Sequence, residues 1–146
     1  MSEFKRVTDN LYVSPQIGAD EVEEARRGGF TGIINNRPDG ESDDQTPGDT
    51  IKAAAERAGL TYTAIPIGQD GIAPGHIESM RAATDPSLGK TLAYCRSGTR
   101  STLLWSLAEA SRGTPPAAIE RAASDAGYSI APVRGAIEQL AANAEK

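Results

Sequence analysis

The stretch Thr91-Leu92-Ala93-Tyr94-Cys95-Arg96-Ser97-Gly98-Thr99-Arg100-Ser101 constrains the fold more than any other part of the chain. A short apolar run stops at the single cysteine, crosses a loop bracketed by two arginines, and enters a helical pattern. That helix carries Leu103, Leu104, Leu107 and Ala108 on one face. A strand feeding directly into a helix that must bury an apolar face belongs in an α/β layer structure. The connecting loop brings its own chemistry. First-turn amides have no helical acceptor and the helix N-terminus is partly positive, so the loop forms a cup for an anion, with a sulfur at its base and arginines at its rim. The same dipole and guanidinium groups favour a thiolate, which makes Cys95 the candidate nucleophile and Arg100 and Arg96 the candidate anion binders. Burying a cysteine as a small hydrophobe between two arginines, with no anion to pair them, would be costly. Gly98 allows a positive φ, and Ser97, Thr99 and Ser101 are small enough to let the loop amides face inward.

The rest of the chain repeats the same alternation. Val7 and Leu11 to Val13 suggest a small hairpin, and Asp20 is placed to cap a helix running to Arg27 before Gly28-Gly29. A strand over 30–35 follows, with Ile33 and Ile34 adjacent as expected where both faces of a sheet are covered. Helices are predicted over 48–58 and 74–83, a strand over 60–67, and two further helices from Pro115-Pro116 to Ala126 and from Pro132 or Val133 onward, fraying over 143–146. The fold predicted is α/β: one domain, 1–146, with a mostly parallel sheet of four or five strands and helices on both faces. In such a sheet the loops after residues 35, 67 and 94 converge at the C-terminal edge, where ligands bind. Arg37 and Asp70 lie on the first two of those loops. Arg37 could reach the same anion or pair with nearby carboxylates. Asp70 is a candidate general acid in a turn-like setting. The acids from Asp39 to Asp44 read as a solvated loop, and His76 as a surface residue of a helix's first turn.

Composition narrows the partners. A net charge of −5 disfavours nucleic acid and membrane surfaces, which want a cationic face, while a locally positive cup can still take a small anion. One cysteine and one histidine exclude an internal disulfide and a cysteine- or histidine-based metal site, so no metal or cofactor is expected and the thiol is free, as in a reducing compartment. With no apolar segment of signal or membrane-span length, a soluble cytoplasmic protein is expected.

Cys95-Arg96-Ser97-Gly98-Thr99-Arg100 resembles the active-site loop of rhodaneses, with four residues between cysteine and arginine. Protein tyrosine and dual-specificity phosphatases are similar in having a strand, cysteine loop, arginine and helix, but they place five residues between. Together with Val13-Ser14-Pro15-Gln16-Ile17 and Ile33-Ile34-Asn35-Asn36-Arg37-Pro38-Asp39-Gly40-Glu41, the motif resembles the phosphatase-like domain of the beta-lactamase-hydrolase-like proteins, a bacterial family also described as sulfur transferases. The resemblance implies a three-layer protein-tyrosine-phosphatase-like fold, Ser101 as hydrogen-bond partner of the thiolate, and sulfide-oxidation enzymes as possible partners.

Loop length points to sulfur transfer. A shorter ring of amides should fit a terminal sulfur better than a phosphoryl group in transfer, so Cys95 would take sulfane sulfur from thiosulfate or a persulfide and pass it to a thiol acceptor. The alternative is phosphate-ester hydrolysis through a phosphocysteine, with Asp70 as acid. A non-catalytic persulfide carrier or anion sensor is the third possibility.

Overall fold

The computed structural model describes residues 3–144. Five strands, β1 (Lys5–Arg6), β2 (Leu11–Ser14), β3 (Gly32–Asn35), β4 (Thr61–Ala64) and β5 (Thr91–Tyr94), form one sheet in the order β1-β2-β5-β3-β4. Every pairing is parallel except β1 with β2, which form the N-terminal hairpin. The helices are α1 (Ala19–Arg27), α2 (Gly48–Ala58), α3 (Pro74–Ala83), α4 (Thr99–Ser111), α5 (Pro116–Asp125) and α6 (Arg134–Ala144), with 3-10 turns at Pro86–Leu88 and Ala131–Val133.

The period-2 alternation of the central strands sorts the core into two layers. Ile33, Leu92 and Tyr94 point to one face and pack with Val22 and Ala25 of α1 and Ile51, Ala54 and Ala55 of α2. Val13, Ile34 and Ala93 point to the other, against Met80 of α3, Leu104, Trp105, Leu107 and Ala108 of α4, Ile119 of α5 and Ile137 of α6. Both faces being apolar explains why Ile33 and Ile34 stand side by side. Helix α4 lies between α3, α5 and α6. Each of its buried leucines stabilises by roughly 1.5–3 kcal/mol, which anchors the loop in front of it.

Several local expectations change. Helix α1 is capped at Gly18, whose amide donates to Glu21 Oε1 at 2.6 Å, because Asp20 already lies inside the first turn. The strand expected over 60–67 shortens to Thr61–Ala64; main-chain bonds continue from Ile65 N to Asn35 O at 2.9 Å and from Ile67 N to Asn36 O at 3.0 Å, but Pro66 between them has no N–H to carry on a regular ladder. Leu103 is only partly buried while Trp105 is fully covered, so α4 presents a wider apolar surface than its leucine spacing implied. Helix α6 remains regular to Ala144; Glu145 and Lys146 lie outside the described residues. No helix among the described residues is long and apolar enough to cross a membrane.

Candidate active site

The three loops meet at the C-terminal edge of the sheet as the topology requires. Cys95 extends β5 by one residue, its amide donating to Ser14 O at 3.4 Å, and it is fully buried. The chain then turns through Arg96, Ser97 and Gly98, the last at φ +96°, and enters α4. The first main-chain bond of this helix runs from Thr102 N to Gly98 O at 3.0 Å. The amides of Arg100 and Ser101 therefore have no helical acceptor and are available to an anion. Gly98 N donates to Cys95 Sγ at 3.1 Å. Ser97 and Thr99 tie the rim instead, Ser97 Oγ to Thr99 Oγ1 at 3.1 Å and Thr99 N to Ser97 Oγ at 3.4 Å.

Arg100 is held with unusual completeness. Its Nη1 donates to Glu41 Oε2 at 2.7 Å and to Ile67 O at 2.8 Å, and its Nη2 donates to Glu41 Oε1 at 2.8 Å. A guanidinium has five N–H groups. Both on Nη1 and one on Nη2 are used, leaving Nε–H and the second Nη2–H on a single edge. That edge has the fork geometry that grips two oxygens of a tetrahedral anion. The guanidinium pKa is raised, first by the hydrogen bonds to Glu41 and further by the charge of Cys95, whereas partial burial opposes this.

Glu41 is the hinge of this arrangement. It also accepts from Arg37 Nε at 2.9 Å, so one carboxylate joins two arginines. The hydrogen bonds from Arg100, and then those from Arg37, outweigh its desolvation and hold its carboxyl down at about 2. Arg37 is 5% exposed, and its Nη1 and Nη2 each donate once more, to Gln16 Oε1 at 2.9 Å and to Ser42 Oγ at 3.2 Å. The main-chain N–H of Gln16 in turn donates to Arg96 O at 3.3 Å, linking the ends of β2, β3 and β5. Above these groups an open cleft of about 540 Å³ is lined by Pro38, Gly40, Glu41, Gly68, Gln69, Arg96 and Arg100. Arg96 is exposed at its rim.

Most of the expected residues come together, with changes of role. Cys95, Gly98, Arg96 and Arg100 form the cup. Arg37 reaches it only through Glu41, not by direct access to the cleft. The bond expected between Ser101 and the thiolate is absent: Ser101 is fully buried and its Oγ has no hydrogen-bond partner. Asp70 is exposed on the turn Gly68–Gly71, next to Gln69 but outside the lining of the cleft. The acidic loop is not simply solvated. Glu41 holds two arginines, Asp39 Oδ1 caps α2 by accepting from Gly48 N at 2.8 Å, and Asp44 accepts from Ser42. His76 accepts from Ala73 N at 2.9 Å and caps α3. Glu41 could have been suspected from its i,i+4 spacing with Arg37. Tyr128, whose hydroxyl donates to Ser97 O at 3.0 Å, had no local signal.

A buried cysteine beneath an arginine-gated loop, between a parallel strand and the helix it feeds, defines a protein-tyrosine-phosphatase-like α/β domain. A candidate phosphatase of Neisseria meningitidis Z2491 is 31% identical and superposes with a TM-score of 0.82 over 96% of this chain and 99% of that one. Tk-PTP, at 14% identity, shares the fold with a TM-score of 0.72 over 97% of this chain and 96% of its own. Residues 3–112 match the phosphatase-like domain of the beta-lactamase hydrolase-like proteins, and the chain belongs to that family. The beta-lactamase hydrolase-like protein of Xylella fastidiosa (strain Temecula1) is 38% identical over 103 residues, covering 70% of this chain and 24% of the relative. The chain thus spans about a quarter of the length of the curated relatives it matches.

Proposed function

We propose that this domain is a cysteine-dependent phosphatase acting on phosphate monoesters. The observation that carries the proposal is the Nε–Nη2 edge of Arg100, which neither Glu41 nor Ile67 O occupies, on a guanidinium that interacts with the buried sulfur. A phosphoryl group gripped by that edge and by the amides of the loop lies within reach of Cys95. The thiolate attacks phosphorus, an S–P bond forms, and the P–O bond to the leaving group breaks. Charge accumulating on the equatorial oxygens is met by Arg100 and the helix N-terminus. Water then attacks the phosphocysteine, releasing phosphate and restoring the thiolate. Glu41 cannot protonate the leaving oxygen, because two arginines keep it ionised at neutral pH. The acid this reading assigns is Asp70, exposed on the turn whose Gly68 and Gln69 line the cleft. The phosphatase-like relatives support this ranking.

Sulfur transfer is the second possibility, favoured by one feature: four residues, not five, separate Cys95 from Arg100. Thiosulfate offers the same loop a sulfonate-like head and a terminal sulfur, and its sulfite leaves as an anion without an acid. Intact mass after separate incubation with an aryl phosphate and with thiosulfate decides between them. A trapped phosphoryl group on Cys95 with phosphate released, both lost in Cys95→Ser, is the result expected. A gain of one sulfur atom on Cys95 without phosphate release would reverse the ranking.

A further inference from the structure

Tyr128 reaches the site from a part of the chain that no active-site motif includes. Gly127, at φ +97°, ends α5 with the paired bonds of a Schellman stop, Gly127 N to Ser124 O and Tyr128 N to Ala123 O, each at 2.9 Å. The residue after that stop leaves in a fixed direction, and the half-buried Tyr128 ring packs on the core beneath α4. Its hydroxyl donates to Ser97 O at 3.0 Å. The Ser97–Gly98 peptide is trans, so its N–H points away from its C=O, and that N–H donates to Cys95 Sγ at 3.1 Å. The hydroxyl, one peptide plane and the sulfur therefore form a single chain of hydrogen bonds. Gly98 leaves room for it: a Cβ there would lie 2.2 Å from the Tyr128 oxygen.

We propose that Tyr128 is a positioning residue for the nucleophile, its hydroxyl holding the Ser97–Gly98 peptide in the one orientation that aims the Gly98 N–H at Cys95 Sγ. Glycine permits the plane to flip, and a flipped plane would turn a carbonyl oxygen toward the sulfur and remove a donor from the thiolate. Hydrogen bonds at opposite ends of one amide also polarise each other, so the outer bond strengthens the inner one. The phenol stays protonated for this task, because burial, and after it the charge of Cys95, raise its pKa above the ordinary value. The proposal rests on Cys95 acting as a thiolate nucleophile and holds whether the loop turns over phosphate or sulfur.

The charged and titratable groups around the sulfur and the phenol are Arg96 on the loop, Arg100 on α4 with Glu41 behind it, Tyr128 itself, and Glu3 near the N-terminus, whose charge acts on Tyr128. Tyr128→Phe leaves the arginines and Glu41 in place and keeps the ring. Because Cys95 is the single cysteine, the ultraviolet absorbance of its thiolate can be titrated against pH directly, with a Cys95→Ser blank in each background. Loss of one hydrogen bond to the ionised sulfur should lower its ionisation constant roughly three- to tenfold in Tyr128→Phe. An unchanged constant overturns the proposal, including the case where the melting temperature falls and the constant does not, since that marks a purely structural residue. Assaying aryl phosphate in parallel keeps the two proposals apart. A wild-type protein that releases no phosphate, yet shows the shifted titration on losing the Tyr128 hydroxyl, supports the positioning role and overturns the phosphatase.

Discussion

Replacing Glu41 with Gln tests whether one carboxylate organises the site. Gln preserves shape and one acceptor but removes the charge shared by Arg37 and Arg100. Glu41 is held at about 2 against an ordinary 4.5, a difference that caps its contribution near 3 kcal/mol. Its side chain is 27% exposed, so solvent screening reduces this to about 2 kcal/mol, which also leaves the buried Arg37 guanidinium without its counter-charge. For a domain of this size, about 2 kcal/mol lowers the melting temperature by roughly 6 °C. The pH dependence follows from the sign of the shift. Because the folded value lies below the unfolded one, the unfolded chain binds more protons between the two. The stabilisation is therefore complete above about pH 4.5 and is lost as pH falls toward 2. Urea unfolding of wild type and Glu41→Gln across this range should give a stability gap that is widest near neutrality and closes in acid. Glu23 and Asp85, whose values are also depressed, lie outside this network, act equally in both proteins and cancel, whereas Asp44, joined to Arg37 through Ser42, belongs to the network being tested. With Arg100 held only by Ile67 O and one neutral acceptor, kcat/KM should fall about tenfold. A gap that persists unchanged to low pH, or a variant as stable as wild type at pH 7, would refute the role assigned to this carboxylate.

Gly98→Ala both strains a φ of +96° and drives a methyl into the Tyr128 hydroxyl, so activity should be nearly abolished and stability should drop by about 1–3 kcal/mol by denaturant titration. Arg96→Ala removes an exposed cation from the rim while leaving Arg100 in place; KM for an anionic substrate should rise roughly three- to tenfold with kcat little changed, an effect that weakens in high salt. Asp70→Asn should slow hydrolysis of an alkyl phosphate by about 10²-fold or more and barely affect an activated aryl phosphate, whose leaving group needs no proton. Equal effects on both substrates would remove Asp70 from the acid's role.

Local patterns carried much of the fold. The helices over 48–58 and 74–83 and the strand over 91–94 appear where apolar spacing and glycine or proline punctuation put them. Edges were less legible. Asp20 has the residue type of a cap, yet the helix begins at Ala19 and the capping bond goes to Glu21, because Asp20 lies within the first turn. At the site, Cys95 and Arg100 were visible because a strand, a cysteine loop and a helix are consecutive in the chain, and consecutive residues define their own geometry. Ser101 shows the limit of that rule: it follows Arg100 directly, yet its hydroxyl meets no partner.

Sequence alone determined the alternation of strands and helices, the place of Cys95 at the end of a strand, the length of the loop that follows it and the two arginines that bracket that loop, since each depends on residues within about a dozen positions of one another. Tertiary structure alone decided what those groups touch. Glu41 and Arg100 are 59 residues apart, and Tyr128 and Ser97 are 31 apart. They meet because a parallel sheet gathers the C-terminal ends of its strands at one edge and α5 is packed to end beside it. Contacts of that kind are set by how layers pack, not by any pattern along the chain. They convert a cysteine between two arginines into a sulfur with a fixed donor, beneath an arginine with one edge free.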